Sequence, residues 1–111
     1  MIEKIYIDYL DQQLSVPVYM ERPVSPPDEY VIIQKTGSSK QNQICSATIA
    51  FQSYAKSLYA AALLNESVKA AVESSVELPE ISRAKLNSDY NFTNTASKQY
   101  RYQAVFDVTH Y

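Results

Sequence analysis

Tyr30-Val31-Ile32-Ile33-Gln34-Lys35-Thr36-Gly37-Ser38-Ser39-Lys40-Gln41-Asn42-Gln43-Ile44-Cys45-Ser46-Ala47-Thr48-Ile49-Ala50-Phe51-Gln52 is the stretch on which the fold turns. Its first four residues are an unbroken apolar run of the kind found in strands buried on both faces. From Cys45 onward the pattern changes to alternation. Cys45, Ala47, Ile49 and Phe51 fall on one face, and Ser46, Thr48 and Gln52 on the other, the period of a half-covered strand. Between them Thr36 to Gln43 is polar, with Gly37 as the expected turn residue. The two strands therefore read as a hairpin with an eight-residue polar tip.

The flanking segments carry the other period. Ile2, Ile5, Tyr6, Tyr9 and Leu10 recur at helical spacing, while Glu3, Lys4, Asp8 and Asp11 lie largely off that stripe, which predicts a helix over residues 2–14. A short strand is expected at Val16 to Glu21. Pro23, Pro26 and Pro27 then hold the chain extended, because proline fixes its own φ and restricts the residue before it. A second helix is predicted over residues 57–76, capped by Ser57 and striped by Leu58, Ala61, Ala62, Leu64, Val68 and Val72. Leu78-Pro79 ends it.

A second hairpin closes the chain. Ala84, Leu86, Tyr90 and Phe92 share one parity, broken by Ser88. Tyr100, Tyr102, Ala104, Phe106 and Val108 share another, with Arg101, Gln103 and Asp107 facing away. Thr93 to Ser97 is the polar loop between them. Helix, strand, hairpin, helix, hairpin in that order predicts an α+β fold. A mostly antiparallel sheet of about five strands would carry two helices on one face. Residues 1–111 suit one domain with a single core.

Composition removes several functional classes. Ten Lys+Arg against twelve Asp+Glu give a formal net charge of −2, no excess with which to neutralise the phosphates of free nucleic acid. One cysteine, Cys45, cannot form an intramolecular disulfide. One histidine, His110, cannot build a metal cluster with it alone. A single glycine argues against a phosphate-cradling loop. No signal peptide or membrane span is visible, and a free thiol fits a reducing compartment. A soluble cytoplasmic protein without cofactor is expected.

The residues able to carry chemistry have plainer readings. His110 sits next to a chain terminus, and Cys45 occupies the apolar parity of a strand with no base evident nearby. Asp8/Asp11, Asp28/Glu29 and Glu77/Glu80 read as solvated surface charge. Asn87-Ser88-Asp89 lacks the ligand spacing and glycine of a calcium loop. Arg22, Lys35, Lys40, Arg83, Lys85, Lys98 and Arg101 come from loops and hairpins and could gather at one end of the sheet. Ten tyrosines without a tryptophan suit sheet positions and half-wet interfaces.

Four segments carry a resemblance: residues 26–37 (Pro26-Pro27-Asp28-Glu29-Tyr30-Val31-Ile32-Ile33-Gln34-Lys35-Thr36-Gly37), 47–55 (Ala47 to Ala55), 86–93 (Leu86-Asn87-Ser88-Asp89-Tyr90-Asn91-Phe92-Thr93) and 100–109 (Tyr100-Arg101-Tyr102-Gln103-Ala104-Val105-Phe106-Asp107-Val108-Thr109). Together they resemble the tail terminator proteins (tail completion, or head–tail joining) of long-tailed phages and prophages of Gram-positive bacteria. The resemblance implies a non-enzymatic role. Such proteins cap the tail tube as a hexameric ring, meet the major tail tube protein on one side and the head connector on the other, and let DNA pass through the lumen without specific binding. It also implies a location in the neck of the virion, after assembly in the host cytoplasm. The family pattern contains no catalytic residue.

Candidate contact residues follow from the loop reading instead. They are Lys35, Ser38, Ser39, Lys40, Gln41, Asn42 and Gln43 at the first hairpin tip, and Thr93, Asn94, Lys98 and Arg101 around the second. Two other readings stay open. One is a different neck component, an adaptor or stopper. The other is a small ligand-binding α+β module lined by Tyr19, Tyr90 and Arg101.

Overall fold

The computed structural model describes residues 1–93 and 99–111. Helix α1 spans Ile2–Gln13 and strand β1 Val18–Tyr19. Strands β2 and β3 span Tyr30–Gln41 and Ile44–Ala55. Helix α2 spans Leu58–Ser74 and runs into a 3-10 turn, Ser75–Glu77. Strands β4 and β5 span Ile81–Asn91 and Tyr100–His110. The sheet order is β1-β2-β3-β5-β4. The β1–β2 pair is parallel, and the other three are antiparallel. The chain is thus the expected α+β fold, with both helices packed on one face.

Alternation explains the core. Val31 and Ile33 of β2, Ala47, Ile49 and Phe51 of β3, and Ala104, Phe106 and Val108 of β5 all point to the helical side. There they meet Tyr6 and Leu10 of α1 and Leu64, Val68 and Val72 of α2. Phe51 anchors this layer, edge-on to Tyr6 at 5.4 Å and to Phe106 at 5.8 Å, the geometry the ring quadrupoles favour. Ser57 caps α2 as expected, its side chain accepting a hydrogen bond from the Ala60 amide. Leu58, placed on the inner stripe by its spacing, is instead exposed. It belongs to the first turn, where α2 has barely reached the sheet.

Buried polar side chains tie the helices together. Tyr6 Oη lies 2.9 Å from Ser75 Oγ, and Tyr9 donates to Glu77 at 3.1 Å. Burial pushes the Tyr6 hydroxyl up from 10.0 to about 12. Lys69 spans α2 and β4, 2.9 Å from Glu66 and 3.0 Å from Asp89, and these two carboxylates hold its pKa above the usual value.

Three expectations need correction. There is no eight-residue tip. Strand pairing continues to Gln41↔Ile44, and only Asn42 and Gln43 form the turn. Both have positive φ, 52° and 67°, as a type I′ turn requires to match the twist of its strands. Polarity misled here: an edge strand wet on both faces has no apolar alternation to display. Gly37 is accordingly not a turn residue. It pairs with Thr48 just after a bulge at Thr36 and has a negative φ.

The second correction concerns β4. A bulge at Asn87 separates the pair Leu86↔Phe106 from Ser88↔Val105, and an inserted residue reverses the faces beyond it. Ala84 and Leu86 pack on the helical core, but Tyr90, opposite Gln103, lies on the other face with Phe92. The parity break at Ser88 was this bulge. Third, the first strand is only Val18–Tyr19, because Pro17 and Pro23 confine it.

Candidate functional site

The sheet face opposite the helices carries the most organised group of polar and aromatic side chains. Alternation delivers Tyr30 and Ile32 from β2, Gln52 and Tyr54 from β3, and Arg101 and Gln103 from β5 to this side. The bulge adds Tyr90 and Phe92. Tyr30, Ile32 and Tyr54 form a small apolar cluster of their own, with Tyr19 against it. Tyr30 and Tyr54 stack at 4.6 Å with rings 4° from parallel, and Tyr19 meets Tyr30 edge-on at 6.2 Å. Burial raises the Tyr30 pKa, and the positive charge of Arg22 partly offsets that rise.

A directional hydrogen-bond chain runs across three strands. Arg101 Nη1 donates to Tyr54 Oη at 2.8 Å, and Tyr54 donates to Gln52 Oε1 at 3.1 Å. Gln52 Nε2 donates to Gln103 Oε1 at 2.9 Å, and Gln103 Nε2 donates to Tyr90 Oη at 2.6 Å. Each link polarises the next. The chain ends on a hydroxyl that accepts from Gln103 and keeps its own proton for an outside acceptor. Tyr90 is 41% exposed, so that acceptor can reach it.

Arg101 is fixed at the other end. Its Nε donates to the Phe92 carbonyl oxygen at 2.7 Å, and its guanidinium lies 4.2 Å from the Phe92 ring centroid and 5.7 Å from that of Tyr54. A cation over aromatic faces in this way is attracted by the ring quadrupole. Phe92 is 40% exposed and meets Tyr90 edge-on at 5.8 Å. The result is a rigid patch with one ordered guanidinium, two half-exposed rings and one free hydroxyl donor. Arg22, Pro26, Pro27, Tyr30, Tyr54 and Tyr100 line a recess beside it.

The contact residues expected from the sequence do not gather. Antiparallel pairing of β3 with β5 sets Cys45 against His110 and Ala55 against Tyr100, so the Asn42-Gln43 turn and the Thr93 and Arg101 positions lie at opposite ends of the sheet. Lys35, Ser38, Ser39, Lys40 and Gln41 lie along the exposed outer part of β2, and Asn42 and Gln43 make its turn. Lys35 also reaches Glu3 of α1 at 3.8 Å. Thr93 and Arg101 stand at the far end, joined through Thr93 Oγ1 and the Arg101 amide at 3.3 Å. Asn94 and Lys98 lie outside the described residues. The basic residues divide likewise, with Arg22 and Arg101 at one end and Lys40, Arg83 and Lys85 toward the other.

Tyr19, Tyr90 and Arg101, named for a ligand-binding module, do share the helix-free face. What sequence reasoning missed was Gln52, Tyr54 and Gln103, the connectors of the hydrogen-bond chain. Their only signal was glutamine and tyrosine at matching positions of two antiparallel strands, which needs the register to be visible. Register also sets His110 directly across from Cys45, with Lys40 on the other side. The His110 ring turns to the Tyr111 carbonyl oxygen at 3.3 Å instead.

The carboxylates are engaged elsewhere. Asp107 accepts from Thr48 and Asn87, Asp28 pairs with Lys56, and Glu77 accepts from Tyr9. Among the described residues no three His, Cys, Asp or Glu side chains are grouped to hold a metal ion. No described helix is long and apolar enough to cross a membrane. Against known proteins, the chain matches no family model and no curated protein.

Proposed function

We propose that this protein is a structural component of a phage virion. In this reading it caps the tail tube as a ring, meeting the tube protein on one side and the head connector on the other. The observation that carries the reading is the preorganised patch of Tyr90, Phe92 and Arg101 on an uncovered sheet face. Tyrosine and arginine dominate the energetics of protein–protein contacts, above all when their conformations are fixed in advance and little entropy is lost on docking. The four segments that resemble tail terminators support it from a second direction. They supply β2, β3, β4 and β5, and with them this face.

The mechanism is geometric. A ring needs two different complementary surfaces on each copy, related by a rotation that closes. A sheet with helices on one side provides two different faces.

Deletion of the gene from its phage or prophage, with electron microscopy of the particles, tests the proposal. Abnormally long tubes unattached to heads are expected, and added purified protein should restore joining in a mutant lysate. Tails of normal length beside heads that leak DNA would reassign the protein as a stopper. Normal particles would refute a structural role.

A further inference from the structure

Charge in this molecule is sorted by layer. Glu3, Asp8, Asp11, Glu66, Glu73 and Glu77 stand against Lys4 and Lys69 in the helical layer, whereas Lys35, Lys40, Arg83, Lys85 and Arg101 stand against Asp89 and Asp107 in the strands. On the helix-free face the sorting is sharper. Asp89 turns away to Lys69, so among the strand carboxylates only Asp107, directly across from Lys85, shares this face with Arg83, Lys85 and Arg101.

Two stripes on opposite sides of the protein match each other. Along the outer side of α2, Tyr59, Leu63, Glu66, Ala70 and Glu73 recur at helical spacing and are all exposed or nearly so. Tyr59 is 75% exposed and Leu63 53%. The order is apolar, then acidic, over about 21 Å. Along β4 the helix-free face shows Phe92 and Tyr90, then Lys85 and Arg83. This order is aromatic, then basic, with Lys85 and Phe92 about 23 Å apart. Neither stripe is self-complementary.

The free edges of the sheet are worse candidates. Beyond Ile32 the outer edge of β2 carries a bulge and two lysines. The edge strand β4 carries two bulges, Arg83 and Lys85. Bulges and edge charges both oppose strand addition, and a β2–β4 junction would bring like charges together.

We infer that copies of this chain associate head-to-tail, the outer stripe of α2 in one copy lying on the helix-free sheet face of the next. Tyr59 and Leu63 pack against Phe92 and Tyr90, and Glu73 meets Lys85, while Glu66 stays with Lys69 of its own copy. The occupant of the face is a second copy, because the same chain supplies the complementary order of charge at matching length. This deepens the ring proposal and rests on it.

Charge exchange is the test, on the full chain, by light scattering after size exclusion over a range of concentrations. Lys85→Glu and Glu73→Lys should each weaken association about tenfold or more without lowering the melting temperature of the monomer. The chain carrying both should regain association to near the starting value, because the reversed pair is again complementary. If a variant melts early, Lys85→Gln and Glu73→Gln replace it, each expected to weaken association less than the reversal. An oligomer indifferent to both reversals would overturn this interface and leave the ring reading intact. A chain that stays monomeric would overturn both. A ring assembled through these faces that binds no tail tubes would keep the interface and refute the virion role.

Discussion

Moving the single glycine tests the corrected hairpin directly. Gln43 sits at φ 67° in a two-residue turn, where an ordinary L-residue is strained by roughly 1–2 kcal/mol. Glycine removes that strain but loses more backbone entropy on folding, by roughly 0.5–1 kcal/mol. Gln43→Gly should therefore stabilise the protein by about 0.5–1 kcal/mol. Asn42, at φ 52°, needs no change, because asparagine tolerates this region. The converse substitution is Gly37→Ala. Gly37 has a negative φ, and a Cβ built there meets nothing within 4 Å, so alanine should stabilise by about 0.5–1 kcal/mol through the unfolded state. The double variant should gain about 1–2 kcal/mol, since the sites share no partner. For a domain of this size that raises the melting temperature by several degrees, about 4–8 °C per kcal/mol for slightly shorter chains. Urea unfolding followed by far-UV circular dichroism, at one fixed protein concentration, gives both midpoint and slope. Loss of stability in Gln43→Gly with an unchanged slope would refute the two-residue turn. An eight-residue tip turning at Gly37 predicts that opposite sign for both substitutions.

Two further outcomes follow from buried polar groups. Gln103→Leu strands the Gln52 amide and the Tyr90 hydroxyl, so it should destabilise by about 1–3 kcal/mol. Amide proton exchange should show loosening centred on β3 and β5, and an unaltered urea midpoint would disprove the hydrogen-bond chain. Tyr6 binds its proton more tightly when folded, with a pKa of about 12 against 10.0. The unfolded chain therefore ionises first as pH rises, so this group's stabilising contribution is complete below pH 10 and is lost toward pH 12. Two units amount to about 3 kcal/mol. Tyr6→Phe should flatten that part of the alkaline profile, and a profile identical to the parent would sink the assignment.

Much of the architecture was readable because it depends on local period. The α1 stripe, the Ser57 cap and the doubly buried run at Tyr30–Ile33 are properties of neighbours along the chain, and each appears where its spacing put it. The open-face patch was not readable in the same way. Tyr90 and Phe92 looked like partners of Leu86 until the bulge at Asn87 turned them over, and a bulge leaves only a broken alternation in the sequence. The outer half of β2 reads as loop because nothing covers it, and exposure erases the pattern by which strands are recognised.

The sequence by itself determined the two helices, the apolar strand segments and the single helical layer, since these follow from periodicity. Only the tertiary structure decided which side chains meet. Register set Gln52 against Gln103 and Arg101 against Tyr54, and one inserted residue sent two aromatic rings to the uncovered face. Pairing between strands far apart in the chain depends on the closing of the whole sheet, and no local stretch encodes it.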